Sequence, residues 1–295
     1  MTEGHFGQCG SPGHTRVCGI SGKPESRHGS DGARGGAGES RIQHGFGRHF
    51  AFWYHWIPVL AKEYRVIRRD LRGHGLSSDP SKDYDYSLDT VLSEIVDLLN
   101  QENISKVHLL CESTGGMIGM ALAARYPERV LTLTTCATPS HLPDTAKKAW
   151  AVGHKDWPTA CRELGARGFN EKMASMSGGV GQADPEYHKW WLDQMDLATG
   201  EGFARYTEFL SELDVRPLMK DIKYPTFILA PMRSGNTSLQ DQEALKDMIS
   251  GAKMMAIDGR GHEVYVDKAE DCQVAFLGFL QRLSDGTEGH FHLLA

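Results

Sequence analysis

At 295 residues, with 40% hydrophobic and 24% charged side chains, the chain can bury a sizeable core, which excludes disorder over its whole length. Thirty-two Lys and Arg against 38 Asp and Glu give a net charge of -6, and no long basic run is present, so nucleic acid is not an expected partner. No stretch approaches the ~18 consecutive apolar residues of a membrane span, and the first residues lack the apolar core of a signal peptide. A cytoplasmic protein, monomeric or homodimeric and off the membrane, is expected.

Residues 1–40 stand apart, because Gly, Ser, Arg and His dominate and the few aliphatic residues follow no period. That texture predicts a disordered or atypical N-terminal segment whose first 38 residues can be removed without loss of the fold. Cys9 and Cys18 stand near His5 and His14, but the spacings match no structural zinc pattern, so no metal is expected there. The six cysteines, at 9, 18, 111, 136, 161 and 272, form no C-x-x-C pair and read as free thiols.

From Ile42 onward, short apolar runs alternate with Gly-rich turns. Residues 65–68 read as a strand ending at Asp70. Residues 88–101 read as an amphipathic helix with Leu88, Val91, Leu92, Ile95, Leu98 and Leu99 on one face. A strand over 106–111, a helix over 117–126 and a strand over 130–135 follow. Between Pro139 and Asp221 the strand signal disappears and helical, Trp-bearing segments take over, among them 186–197, where Trp190 and Trp191 are expected to pack rather than to touch substrate. Strands return at 226–230 and 253–257, and a helix over 272–283 closes the pattern. Strand alternating with helix implies a parallel sheet wrapped on both faces. The expected organisation is a core of 41–139 and 222–284, a helical cap at 140–221, and a flexible tail from 285 to 295.

Chemistry concentrates at three places. Cys111-Glu112-Ser113-Thr114-Gly115 lies between a predicted strand and a predicted helix, where a sharp turn holds a serine hydroxyl clear of the backbone as a nucleophile. His44-Gly45-Phe46-Gly47 follows a short strand segment, and its glycines let a backbone N–H face the same point. The N–H groups of Phe46 and Thr114 are the expected pair of oxyanion donors. Asp258-Gly259-Arg260-Gly261-His262-Glu263 ends the last strand, and His262 is the candidate general base, whereas His108, inside a strand, reads as a packing residue.

Taken with Asp70-Leu71-Arg72-Gly73-His74-Gly75-Leu76-Ser77, these motifs resemble the α/β-hydrolase superfamily over roughly residues 42–283. The resemblance implies an α/β fold with a mostly parallel eight-stranded sheet and a helical cap, as in esterases and enol-lactonases, working without a cofactor or metal. It also implies that 70–77 is a structural turn. The position where the family carries its catalytic acid holds Ser234, and the alternative position after the preceding strand holds Ala137. Asp241, farther along, Asp144 at the cap entrance, and Glu112, before the nucleophile, remain as other carboxylates. Either Ser234 with a water orients His262, or an acid arrives from elsewhere. Only Arg41-Ile42-Gln43 precedes His44, where family members open with a hairpin and a strand, so a bare sheet edge is expected.

The leading expectation is a serine hydrolase that cleaves a small ester or lactone. The alternatives are a C–C bond hydrolase using Arg162 or Arg167 from the cap, and a catalytically impaired ligand-binding relative. Epoxide hydrolase and haloalkane dehalogenase chemistry need Asp where Ser113 stands.

Overall fold

Seven strands form one sheet in the computed structural model, which describes residues 17–21, 39–177 and 184–286. They are β1 (Val17–Ser21), β2 (Glu39–Gln43), β3 (Arg65–Arg69), β4 (Val107–Glu112), β5 (Val130–Cys136), β6 (Thr226–Pro231) and β7 (Lys253–Ile257). The spatial order is β1-β3-β2-β4-β5-β6-β7, with β2 to β7 parallel and β1 antiparallel to β3 at the edge. Eight strands were expected, and seven lie among the described residues.

Helices occupy the connections: α1 (Ile57–Leu60), α2 (Leu88–Gln101), α3 (Ser113–Arg125), α4 (Asp144–Trp150), α5 (Trp157–Ser177), α6 (Pro185–Met195), α7 (Gly200–Glu212), α8 (Leu239–Met248), α9 (Val264–Asp267) and α10 (Ala269–Ser284). Because helices cover both faces, the central strands are buried on both sides and read as apolar runs without alternation. All six residues of β6 are buried, as are five of the six in β4. Each buried Leu or Ile contributes about 2 kcal/mol of hydrophobic stabilisation. On α2, Val91, Leu92, Ile95, Leu98 and Leu99 form the buried stripe, and the Ser87 hydroxyl caps the helix by accepting the Thr90 N–H at 3.2 Å. Helix α3 is buried almost all round, since it lies between the sheet and the rest of the chain.

Helices α4 to α7 intervene between β5 and β6 and stand where a helical insertion was expected. Gly165, at φ 72°, breaks the regularity of α5. Trp157, Phe169, Trp191, Phe203 and Tyr206 from this insertion are buried with the main core.

The N-terminal segment departs from expectation. Residues 17–21 pair with β3, Ile20 opposite Ile67 and Ser21 opposite Val66, so the outer side of β3 is covered rather than bare. Cys9, His5 and His14, and the thiol of Cys18, lie outside the described residues. Cys111, Cys136, Cys161 and Cys272 are free and buried. Among the described residues no helix is long and apolar enough to cross a membrane.

Candidate active site

β4 ends at Glu112 and α3 begins at Ser113 with no residue between them. The reversal is made by Ser113 itself, which sits in the left-handed region at φ 49°, a conformation that costs a non-glycine residue about 1–2 kcal/mol. The helix was expected from residue 117 and begins at Ser113, so Gly115 and Gly116 are helical, and they serve close approach. A Cβ at Gly115 would lie 2.3 Å from the His44 carbonyl oxygen, and one at Gly116 2.0 Å from Thr138 Oγ1.

The Ser113 Oγ lies 2.9 Å from His262 Nε2. On the other side of the ring, His262 Nδ1 lies 3.1 Å from Ser234 Oγ. The three residues come from the segments that follow β4, β6 and β7, at the carboxyl edge of the parallel strands, where open α/β sheets place their sites.

Ser234 Oγ also accepts the N–H groups of Asn236 and Thr237, each at 3.1 Å, and the Thr237 hydroxyl at 3.3 Å. These donors compete with an Nδ1–H for the two lone pairs of the Ser234 oxygen, so a ring hydrogen on Nδ1, which a general base at Nε2 needs, is held there weakly. Burial, reinforced by the positive charge of Arg48, pushes the His262 pKa down to about 4, so the ring is neutral at physiological pH.

No carboxylate hydrogen-bonds to His262 among the described residues. Asp241 closes a capping box at the start of α8, accepting the Ser238 N–H at 2.8 Å and the Ser238 hydroxyl at 2.7 Å. Asp144 is exposed and pairs with Lys147 at 2.8 Å. Glu112 bonds to the His44 loop instead, one oxygen accepting the Gly45 N–H at 2.6 Å. Burial raises its pKa to about 7, with Arg48 and that N–H opposing the rise.

The two N–H groups expected as oxyanion donors differ in their surroundings. Thr114 N–H belongs to the first turn of α3, whose amides have no helical acceptor. The Phe46 N–H, however, donates to Thr114 Oγ1 at 2.8 Å and is occupied. As expected, 70–77 is a structural turn, since Asp70 accepts the N–H groups of Phe50 and Leu76 at 2.8 Å each.

Sequence reading passed over two charged residues. Arg48, directly after the His44 loop, pairs with Glu263, donates to the Gly47 carbonyl at 2.7 Å, and lies over the rings of Phe52 and Trp191 at 5.2 and 5.0 Å. The pair ties the loop carrying Phe46 to the loop carrying His262. The only signal was adjacency, each charge standing next to a motif expected to be buried.

A cavity of about 110 Å³ opens onto Ser113 and His262. Phe46, Trp150, Trp157, Phe169 and Met173 make its wall apolar, and Asn170 adds a polar group. Trp191 packs as expected but also lines the cavity, while Trp190 packs against Phe52 at 5.1 Å. Arg162 is held by Glu201 and Glu208, and Arg167 by Glu171, Asp193 and Asp196. Neither lines the cavity.

These features match known proteins. A family model described as the alpha/beta hydrolase fold covers residues 42–269. The 3-oxoadipate enol-lactonase 2 of Acinetobacter baylyi is 27% identical over 205 residues, 69% of this chain and 74% of the relative. The pimeloyl-[acyl-carrier protein] methyl ester esterase of Aeromonas hydrophila is 32% identical over 198 residues, 62% of this chain and 72% of the relative. The crystal structure of the enol-lactonase from Burkholderia xenovorans LB400 superposes with a TM-score of 0.72 at 22% identity, over 91% of this chain and 96% of that one. The chain belongs to the α/β-hydrolase fold family and is a hydrolase with esterases and enol-lactonases among its relatives.

Proposed function

We propose that the protein hydrolyses a carboxylic ester or lactone through an acyl-enzyme on Ser113. The observation that carries this reading is the left-handed Ser113 with its Oγ 2.9 Å from His262 Nε2 on the wall of the cavity. Residues 140–221 act as the cap that closes the cavity over the substrate.

Ser113 Oγ attacks the carbonyl carbon while its proton passes to His262 Nε2. The oxyanion takes the N–H groups of Thr114 and Phe46, displacing Thr114 Oγ1 from the latter. Collapse expels the alcohol, which receives the proton from Nε2, and water then repeats the sequence on the acyl-enzyme to release the acid. To begin, the imidazole must carry its hydrogen on Nδ1. Ser234 Oγ then has to accept from Nδ1 in competition with its other donors, the N–H groups of Asn236 and Thr237 and the Thr237 hydroxyl. Losing the acid of a triad costs about ten-thousandfold in rate, so turnover is expected to be slow.

Labelling with a fluorophosphonate probe tests the reading. Ser113 is expected to be labelled, and Ser113→Ala is expected to abolish hydrolysis of p-nitrophenyl acetate while leaving the melting temperature nearly unchanged. A variant that keeps most of the activity sinks the assignment. A second reading, a ligand-binding relative with impaired catalysis, is favoured by the uncharged Ser234 beside Nδ1. It predicts ligand binding with no labelling. The C–C bond alternative gains nothing from Arg162 or Arg167, which are engaged outside the cavity.

A further inference from the structure

The acyl-enzyme chemistry leaves Glu112 unused, although this carboxylate is 2% exposed and lines the cavity beside Ser113. One oxygen accepts the Gly45 N–H. Among the described residues no other hydrogen bond reaches the carboxylate, and Glu112 lines the cavity, so its second oxygen is open to a donor on a ligand. A largely desolvated carboxylate gains from a charge-assisted hydrogen bond with a ligand's O–H.

The charges around it are accounted for. Arg48 lines the same cavity, but its charge is balanced by Glu263, to which Nε donates, and Nη1 donates to the Gly47 carbonyl. Tyr206, Tyr265 and His262 face the region as neutral groups, the tyrosines having raised and the histidine lowered pKa values. With Arg48 paired to Glu263, a second carboxylate placed beside Glu112 would meet like charge in a desolvated site.

We propose that Glu112 is a specificity-determining residue: its second carboxyl oxygen takes a hydroxyl that the substrate carries close to the scissile carbonyl, and the pocket turns away substrates with a carboxylate there. The substrate class is an uncharged hydroxy ester or hydroxylated lactone. The inference rests on the acyl-enzyme reading of Ser113.

The test compares p-nitrophenyl butyrate, 3-hydroxybutyrate and hemisuccinate, which share an acyl length and differ in one terminal feature. The assay runs above the Glu112 pKa of about 7, where the group is ionised. In the wild type, kcat/KM for 3-hydroxybutyrate is expected to exceed that for butyrate about tenfold and that for hemisuccinate about a hundredfold or more. Glu112→Gln keeps an acceptor for the Gly45 N–H and turns an amide donor into the cavity. In that variant the advantage of the hydroxyl is expected to vanish, and hemisuccinate to gain about tenfold relative to butyrate. The same order in both proteins, or a wild type that prefers hemisuccinate, overturns the proposal. Protection of wild-type Ser113 from fluorophosphonate by 3-hydroxybutyramide, but not by succinamate, gives a second readout that needs neither turnover nor a folded variant, and equal protection by both also overturns it. Failure of Ser113 to be labelled at all strikes the acyl-enzyme reading instead, so the two failures are distinguishable.

Discussion

The imidazole of His262 lies between two hydroxyls, Ser113 on Nε2 and Ser234 on Nδ1, and neither carries charge. An imidazolium formed there has no anionic partner, and burial holds its pKa near 4. Since the neutral ring is the active base, kcat/KM on a neutral ester is expected to rise with pH through an apparent value of about 4 and to be lost below it. An acid limb near the ordinary value of about 6.5 would contradict the burial argument. Ser234→Asp places a carboxylate at Nδ1, which holds the ring hydrogen there, frees the Nε2 lone pair and raises the ring pKa. We expect kcat to increase more than about tenfold and the acid limb to move to higher pH. No gain in kcat would show that Ser234 does not occupy the acid's place. Glu112 has the opposite shift, with its folded-state pKa raised to about 7. Its contribution to stability is fully present below its unfolded value of about 4.3 and is lost as pH rises through 7. Glu112→Gln is therefore expected to raise the melting temperature relative to wild type more at about pH 8 than at about pH 5. Equal differences at both pH values would contradict the shift.

The strand-to-helix joint from β4 to α3 depends on space that only glycine leaves. In Gly116→Ala the new methyl would fall 2.0 Å from Thr138 Oγ1, between α3 and the segment after β5. Overpacking of this kind costs about 2 kcal/mol, and denaturant unfolding of the variant is expected to show that loss. A variant as stable as wild type would mean that Thr138 can move aside. At this scale the sequence was informative where burial is two-sided. β4 and β6 were legible because strands covered on both faces are apolar runs, and α2 because its buried stripe recurs at helical spacing. The first turn of α3 was not, since Gly-Gly carries the same letters whether it bends the chain or lets another segment approach. Ser113 and His262 could be found because glycines and strand ends mark them, and Ser234 because the family resemblance points to its position. The Arg48–Glu263 pair could not, because it joins residues 215 apart and no local pattern encodes it. The engagement of the Phe46 N–H by Thr114 was also illegible, being a matter of one rotamer.

At the level of the whole molecule, β1 changes what the N-terminal segment is expected to do. A segment rich in Gly and Ser gave no periodic signal, yet residues 17–21 supply backbone partners to the outer side of β3. Deletion of residues 1–38 removes those partners and exposes the β3 edge. We expect a lower melting temperature and concentration-dependent association, read by thermal denaturation and light scattering. A truncated protein that melts as the full chain does would show that the pairing contributes nothing to stability.

The pairing of β1 has a consequence for molecules that meet one another. Residues 22–38 join β1 to β2, a length of chain that spans about 55 Å when extended. β1 is an edge strand held to its own sheet on one side only, by its pairing with β3. A connection of that length is long enough for β1 to reach β3 of a second molecule as well as its own, with the same hydrogen bonds made in either case. The balance between the two is then set by protein concentration against the effective concentration that the tether imposes. Reciprocal exchange of β1 would give a dimer in which each sheet is completed by the other chain. A cysteine pair placed at Ile20 and Ile67 would trap it as an intermolecular disulfide at high concentration and an intramolecular one on dilution.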